Sequence, residues 1–252
     1  QVVFKEVKLP ITIEDWRDID KAEQEIKLKE FMENDRKLGF NMTKAPLFRI
    51  AIIRFSEKGY HILYTYHHIL VDGWSLSALF ADGLSAHKSF KIGEEPKLKK
   101  RRPFRDYIAW LHKQNLNDAE TFWKEYLADF SEPTPISAIS NNSGQHGYSD
   151  HIYKLSQSDT RQIQDVCRKA GVTPNTFFQA IWGLMLGRYC GQNDIVYGTV
   201  VSGRPSQLKG VETTIGLFIN TLPLRLQIDP NMDFTSWIGA IQKEASSRSR
   251  YE

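Results

Sequence analysis

The chain has 252 residues, of which 41% are hydrophobic, so it is long enough to bury a core and to form one or two domains. Its formal net charge of +3 is too small to indicate nucleic acid as a partner. No apolar run reaches membrane-spanning length, and the N-terminus lacks a signal-peptide pattern. The two cysteines, Cys167 and Cys190, lie in apolar helical contexts, which favours a reducing compartment over a disulfide framework. We therefore expect a cytoplasmic protein with no nucleic-acid or membrane partner.

The ends of the sequence indicate a piece of a longer polypeptide. The first residues, from Gln1 to Phe4, form a strand-like run without an initiator Met. The last residues, from Ser247 to Glu252, lie just beyond a predicted helix. We expect truncation at both ends.

The first part of the chain predicts an amphipathic helix followed by a β-hairpin. The charged stretch Asp20 to Leu38 carries a mostly apolar stripe at helical spacing, and Gly39 is suited to end the helix. Two β-rich runs, 47–55 and 60–67, flank the loop 56–59, which contains Gly and is typical of a hairpin.

The second run leads into the sequence Tyr66-His67-His68-Ile69-Leu70-Val71-Asp72-Gly73-Trp74-Ser75. Adjacent side chains on a strand point to opposite faces, so His67 and His68 are predicted to have different surroundings. A helix is predicted from about Trp74, which places Asp72 and Gly73 at a turn, where Gly tolerates unusual backbone angles. An imidazole exchanges protons near neutral pH. The carboxylate of Asp72, four positions after His68, either bonds an imidazole nitrogen or holds the loop through a cation.

Two other interpretations of the histidines have to be weighed. A zinc site is disfavoured because the two rings face apart, no third ligand lies nearby and the His-Glu-x-x-His pattern is missing. We predict no metal. A purely structural role for both histidines is the alternative that the motif by itself leaves open.

The middle of the chain predicts a basic segment, two helices and a domain boundary. The run from Lys97 to Arg102 is typical of a solvated linker, with a docking patch for an acidic partner as the alternative. Helices are predicted at Phe104–Leu111 and Asp118–Phe130. The Pro-, Asn- and Gly-containing stretch 131–147 has no periodicity, so we divide the chain into lobes 1–147 and 148–252.

The second lobe predicts alternating helices and strands. Asn220 in the second strand is expected to be buried and to face a cleft with Thr221. The predicted elements are a strand at His151–Leu155, a helix capped by Ser158, a central buried helix at Asn175–Tyr189 begun by Thr173-Pro174, a core strand at Ile195–Val201, a motif at Ile215–Arg225 and a helix at Asp233–Ser247.

Four of these elements, in the same order, resemble the condensation domains of non-ribosomal peptide synthetases. The segment from His67 to Ser75 is similar to their His-His-x-x-x-Asp-Gly signature. The loop 39–47 resembles their Phe-x-x-x-x-x-Pro-Leu element, and 104–110 resembles Tyr-x-Asp-Tyr-Ala-x-Trp, with Arg105 at a position usually filled otherwise. The segment 215–221 is similar to Ile-Gly-x-Phe-Val-Asn-Thr. The wider superfamily includes chloramphenicol acetyltransferase.

The resemblance implies a V-shaped, two-lobed α/β fold of the chloramphenicol acetyltransferase type, with the first lobe nearly complete and the second partial. It implies an acyltransferase of antibiotic biosynthesis, in which an acceptor aminoacyl thioester attacks a donor acyl or peptidyl thioester inside a tunnel. The partners would be an upstream and a downstream peptidyl carrier domain, with an adenylation domain in the same polypeptide. Phosphopantetheine would be supplied by the carriers, and the domain itself would bind no cofactor.

The resemblance also assigns roles to residues. His68 would face the tunnel and act as a base or as a hydrogen-bonding group, with His67, Gly73, Trp74 and Ser75 in support. Asp72 would pair with an arginine; in the family that arginine precedes this chain's first residue, and Arg204 is the candidate substitute. The tunnel candidates are Tyr66, Arg204, Gly216, Asn220 and Thr221.

The alternatives are a non-catalytic carrier-docking module, an epimerisation domain and an acyl-CoA-dependent acyltransferase. The pair Ser75-Leu76 and the sequence Phe-Ile-Asn-Thr differ from what epimerisation domains carry. Cyclisation domains have aspartates where His67 and His68 stand. Because elements of the family are missing at both ends, we expect activity from the parent domain rather than from the 252 residues alone.

Overall fold

A computed structural model of the chain describes residues 4–135 and 151–251, and these fall into two compact units. The first unit contains the described residues up to Trp110 together with Arg204–Phe218. The second contains Leu111–Gly203, in its described part, and the residues from Ile219 onward. The predicted junction near residue 147 lies outside the described residues, so the division there stays a prediction. The contacts themselves group residues 111–135 with the second unit and return 204–218 to the first.

The first unit is built on a three-stranded sheet. Its elements are β1 Ile11–Asp15, α1 Lys21–Leu38, β2 Phe48–Arg54, β3 Tyr60–Tyr66, α2 Gly73–Lys91 and α3 Phe104–Leu111. Strand β1 runs parallel to β2, with Ile11 opposite Ile50, and β3 runs antiparallel to β2, with Phe48 opposite Tyr66. The predicted helix and hairpin are confirmed, and Asp20 caps α1 by accepting hydrogen bonds from the backbone N–H groups of Ala22 and Glu23.

The second unit packs helices against a two-stranded antiparallel sheet. Its elements are α4 Leu116–Tyr126, α5 Gln157–Ala170, α6 Pro174–Cys190, β4 Asp194–Val201, β5 Asn220–Gln227 and α7 Phe234–Arg248. The fully buried side chains Leu224, Leu226 and Ile238 form the centre of its core, together with Ala180. Helix α6 begins as predicted, with Thr173 as cap and Pro174 in the first turn.

Three sequence predictions for this unit are wrong. Residues 151–155 form no strand, and Ile152 and Tyr153 are exposed, because a strand requires a partner and none pairs with them among the described residues. Helix α5 is capped by Ser156 rather than Ser158. Asn220 is exposed rather than buried.

Helix α6 is buried on one side only, although its apolar composition predicted burial all round. The face toward the sheet carries small residues such as Ala180, Gly183 and Gly187. The opposite face carries exposed large side chains, namely Phe178, Ile181, Trp182, Met185 and Tyr189. Composition does not report which faces find a neighbour, so the prediction failed at that point.

Other sequence expectations can be compared with the described residues. No helix in the described ranges is long and apolar enough to cross a membrane. Cys167 is buried and Cys190 is half-buried, and both are free thiols.

Candidate active site

The two neighbouring histidines lie on a turn directly after β3, which we call the His68 turn (residues 67–72). The strand ends at Tyr66, and the backbone N–H of His67 donates the last hydrogen bond across the hairpin, to the carbonyl of Leu47 at 2.9 Å. The N–H of Leu70 then donates to the carbonyl of His67 at 3.1 Å. His67 and His68 do differ in their surroundings, but the turn causes this rather than the strand alternation used to predict it.

The imidazole of His68 is exposed, whereas that of His67 is half-buried and tied. The ring of His68 contacts the ring of Tyr66, with centroids 6.0 Å apart. Within the described part of the first unit, no hydrogen bond or ion pair occupies its nitrogens. The Nδ1 of His67 accepts a hydrogen bond from the N–H of Ile69 at 3.1 Å, and its ring packs edge-on against Phe40. His67 therefore has its Nδ1 engaged by the turn, whereas both ring nitrogens of His68 are open to a ligand in that part of the structure.

Asp72 fixes the end of the His68 turn and the start of α2. Its side chain is fully buried, and Oδ1 accepts from the N–H of Ser75 at 2.8 Å as the helix cap. Oδ2 accepts from the N–H of Phe218 at 3.2 Å. The guanidinium of Arg204 donates from Nη2 to both carboxylate oxygens, at 3.0 and 3.1 Å. The carboxylate holds a loop through a cation, one of the two roles that the sequence left open.

Arg204 is committed to this buried cluster. Its side chain is only 6% exposed, its guanidinium lies 4.0 Å from the ring centroid of Phe218, and Nη1 donates to the carbonyl of Thr214 at 3.0 Å. The pairing with Asp72 is the one for which the sequence analysis nominated it. These contacts make Arg204 a support for the Asp72 carboxylate, and its role in a tunnel stays a prediction.

Ser75 and Gly216 join the motif helix to the segment 204–218. The hydroxyl of Ser75 donates to the carbonyl of Gly216 at 2.8 Å and accepts from the N–H of the same residue at 3.0 Å. The N–H of Asp72 also donates to the carbonyl of Gly216, at 3.2 Å. Gly216 thus serves as backbone anchor, and it is buried rather than lining an open surface.

The pKa of Asp72 lies below its usual range. Burial raises the pKa, but the hydrogen bonds from Ser75 and Phe218 and the charge of Arg204 together outweigh that effect. The carboxylate is therefore ionised throughout the neutral range, and the cluster holds its charges without a proton on Asp72.

The other predicted motif residues take different places. Gly73 is the first residue of α2; it does not adopt a positive φ, and a methyl group there would meet nothing within 4 Å, so the turn does not need its conformational freedom. Trp74 is 60% exposed beside it. Asn220 and Thr221 belong to the second unit, where both are exposed. Their role in a tunnel stays a prediction.

Gly216 has a steric reason to be glycine, which yields a testable prediction. A Cβ at this position would lie 2.1 Å from the ring atom Cδ2 of Phe104, a distance that forces a packed ring to move. Gly216→Ala is expected to lower the free energy of unfolding by about 1–3 kcal/mol through overpacking. Gly83→Ala on α2, where a Cβ meets open space, is the matched control and should raise it by about 0.5–1 kcal/mol. Urea unfolding of both variants measures the difference, and equal effects would contradict the packing argument.

The basic segment is only partly a solvated linker. Lys97, Lys99 and Lys100 are exposed, as expected. The guanidinium of Arg101, however, pairs with Asp82 of α2 at 2.7 Å and donates to the carbonyl of Thr213 at 3.1 Å. Arg101 is thus structural, and a docking role for the three lysines stays a prediction.

A second charged cluster, which was not predicted from the sequence, contacts Phe40 beside His67. Asp35 of α1 and Arg49 of β2 form an ion pair of 2.6 Å, and both side chains are largely buried.

Within residues 4–135 and 151–251, no group of three or more His, Cys, Asp and Glu side chains could hold a metal ion.

The fold is that of solved condensation domains. The first condensation domain of the calcium-dependent antibiotic synthetase superposes with a TM-score of 0.72 at 20% identity, over 96% of this chain and 54% of that one. This likeness establishes the chloramphenicol acetyltransferase-like fold class expected from the sequence.

The sequence belongs to the same family. The family model described as the condensation domain matches residues 1–252, so the chain is a member of the condensation-domain family. It is 40% identical to a linear gramicidin synthase of Brevibacillus parabrevis over 256 residues, all of this chain and 5% of that protein. It is 34% identical to bacitracin synthase 3 of Bacillus licheniformis, over 99% of this chain and 4% of that protein. The chain thus spans a small part of these relatives and about half of the solved domain.

Proposed function

We propose that this chain is the core of a condensation domain that forms an amide bond between two carrier-bound thioesters. The observation that carries the proposal is the exposed imidazole of His68, presented on a turn that the buried Asp72 cluster holds in place. Family membership supplies the reaction class, together with the 40% identity to a linear gramicidin synthase subunit. The role of His68 itself is argued from its exposure and its free ring nitrogens.

The proposed reaction needs one mobile proton and no covalent enzyme intermediate. The acceptor amine attacks the donor thioester carbonyl, so a C–N bond forms and the C–S bond breaks. His68 takes the amine proton, or holds it by a hydrogen bond, and the proton leaves on the released thiol. The thioester is already activated, so the protein has mainly to position the two reactants.

The partners follow from this chemistry. Both substrates would be held on the phosphopantetheine arms of an upstream and a downstream peptidyl carrier domain, and an adenylation domain would neighbour this one in the same polypeptide. The domain would need no cofactor of its own. We place it in the cytoplasm, in keeping with its two free thiols.

The experiment is mass spectrometry of the carrier domains in the parent synthetase, with both carriers loaded. The donor acyl group is expected to move onto the acceptor thioester, leaving the donor carrier as a free thiol. Loaded carriers that stay unchanged would favour a non-catalytic docking module. Deuterium from solvent at the donor α-carbon, without transfer, would indicate epimerisation. Transfer from acyl-CoA without a donor carrier would indicate an acyl-CoA-dependent acyltransferase.

A further inference from the structure

The ion pair between Asp35 and Arg49 contacts the strand that leads into the His68 turn. Arg49 is 19% exposed and Asp35 is 15% exposed, so both charges are mostly removed from water. The Nε of Arg49 donates to Oδ1 of Asp35 at 2.6 Å. Its Nη1 donates to the carbonyl of Gly39 at 2.8 Å, and Nη2 donates to the backbone carbonyl of Asp35. One guanidinium therefore fastens β2 to the end of α1 and to the residue that follows it.

The carboxylate of Asp35 also reaches the strand that carries the histidines. Its Oδ2 accepts a hydrogen bond from the hydroxyl of Thr65 at 2.6 Å, and Thr65 lies opposite Arg49 in the β2–β3 register. Burial raises the pKa of Asp35, but the hydrogen bonds from Arg49 and Thr65 and the charge of Arg49 bring it below its usual range. The carboxylate of Asp35 is therefore ionised at neutral pH, and it bonds β3 two residues before His67.

An aromatic ring continues the contact to the turn itself. The guanidinium of Arg49 lies 4.5 Å from the ring centroid of Phe40. The ring of Phe40 also meets the imidazole of His67 edge-on, with centroids 6.3 Å apart. That imidazole accepts the hydrogen bond from Ile69 that closes the turn around His68. Each step from Arg49 to the turn is a direct contact.

We propose that Arg49, held by Asp35, is a positioning residue for the His68 turn and acts through Phe40 and His67. The inference rests on the proposed function for its kinetic consequence. Arg49 does not touch the imidazole of His68; it fixes the ring of His67, whose Nδ1 holds the backbone on which His68 stands. Displacement of a reacting group by about 1 Å can cost on the order of 100-fold in rate, so loss of this support should appear in the chemical step.

The same strand offers a matched control. Arg54 of β2 also forms an ion pair, with Glu57 at 2.9 Å, and its guanidinium lies 5.7 Å from the ring centroid of Tyr60. These contacts are at the opposite end of the hairpin from His67. Arg49→Met and Arg54→Met therefore each remove one ion pair and one ring contact from the same strand, although the first pair is largely buried and Glu57 of the second is exposed. Only the first change affects the support of the turn.

The test is single-turnover amide formation in the parent synthetase. We expect Arg49→Met to lower the rate roughly 10- to 100-fold with an unchanged half-saturating concentration of acceptor carrier, and Arg54→Met to stay within about twofold. Phe40→Leu leaves the Arg49–Asp35 pair intact and should lower the rate roughly two- to tenfold. The double variant of Arg49 and Phe40 should be no slower than Arg49→Met, because both changes act through one route.

A readout that does not depend on activity separates this inference from the proposed function. The ¹⁵N resonance of the His67 Nδ1 should move away from its hydrogen-bonded position in Arg49→Met and stay in Arg54→Met. A folded Arg49→Met protein with the wild-type rate and resonance would overturn the inference while the proposed function stood. If Arg49→Met did not fold, Phe40→Leu would decide, because a wild-type rate and resonance there would remove the route. A wild-type synthetase that forms no amide would instead refute the proposed function.

Discussion

Replacing His68 by Ala is expected to lower the rate of amide formation by about 10²–10⁴-fold in the intact synthetase, the range in which a positioned acid or base contributes. The side chain is exposed and makes no hydrogen bond within the described part of the first unit, so its loss should leave folding nearly unchanged. Carrier loading should also be unaffected. The measurement is the rate at which donor mass appears on the acceptor carrier, beside a thermal unfolding curve.

The matched control is His87→Ala, since His87 is an exposed histidine on α2 away from the turn. It should keep the wild-type rate. A His68→Ala protein that forms product as fast as this control would leave the chain with the condensation fold and no catalytic imidazole. Slow product with normal unfolding would support the proposal.

The variant His68→Gln separates the two chemical roles of His68, because a side-chain amide donates a hydrogen bond but cannot take the amine proton. If His68 acts as the base, His68→Gln should be slow at every pH. If hydrogen bonding alone matters, His68→Gln should keep much of the rate. A loss of rate near neutral pH would not come from Asp72, because its lowered pKa keeps the carboxylate ionised there. Single-turnover rates between pH 5 and 9 give the answer.

Local features of the fold were predictable because they depend on neighbours in sequence. The β2–β3 hairpin, the cap Thr173 and the helix starts at Asp20 and Asp233 each follow from a few adjacent residues. The predictions of a strand at 151–155 and of a fully buried α6 failed because both features depend on partners far along the chain. The same limit hid the Asp35–Arg49 pair, whose members are 14 residues apart and lie on different elements.

The candidate site was predictable in its residue types and less so in its contacts. His68 and Asp72 were named from the motif. The arginine 132 positions away that completes the Asp72 cluster was named only as a substitute, because the resemblance places the family's arginine before this chain's first residue. The backbone contacts could not be predicted from residue types, because Gly216 bonds Ser75 through its backbone N–H and carbonyl rather than through a side chain. The space around a ring, as at Phe104, is likewise visible only in coordinates.

Removing one member of the buried pair Asp72–Arg204 should be the most destabilising change at the site. Arg204→Met leaves the carboxylate of Asp72 buried without its cation, and Asp72→Asn leaves the guanidinium without its anion. Each single variant is expected to lose about 3–5 kcal/mol of unfolding free energy at pH 7, the usual cost of an uncompensated buried charge. The double variant Asp72→Asn with Arg204→Met removes both charges together and should recover part of that loss. Urea unfolding of the four proteins forms a double-mutant cycle.

The pH dependence gives the cycle an internal check. The pKa of Asp72 is lower in the fold than in the unfolded chain, so the ionised carboxylate stabilises the fold at pH values above the unfolded pKa of about 3.9. That contribution is lost as the pH falls through the pKa that Asp72 has in the folded protein. The difference in unfolding free energy between wild type and Asp72→Asn should therefore become smaller in acid. Asp15→Asn, which removes an exposed partner of Arg17, should change stability little at neutral pH. If the difference in unfolding free energy between wild type and Asp72→Asn stayed constant down to pH 3, the amide would destabilise the fold through its shape. The charge of Asp72 would then not be what holds the turn.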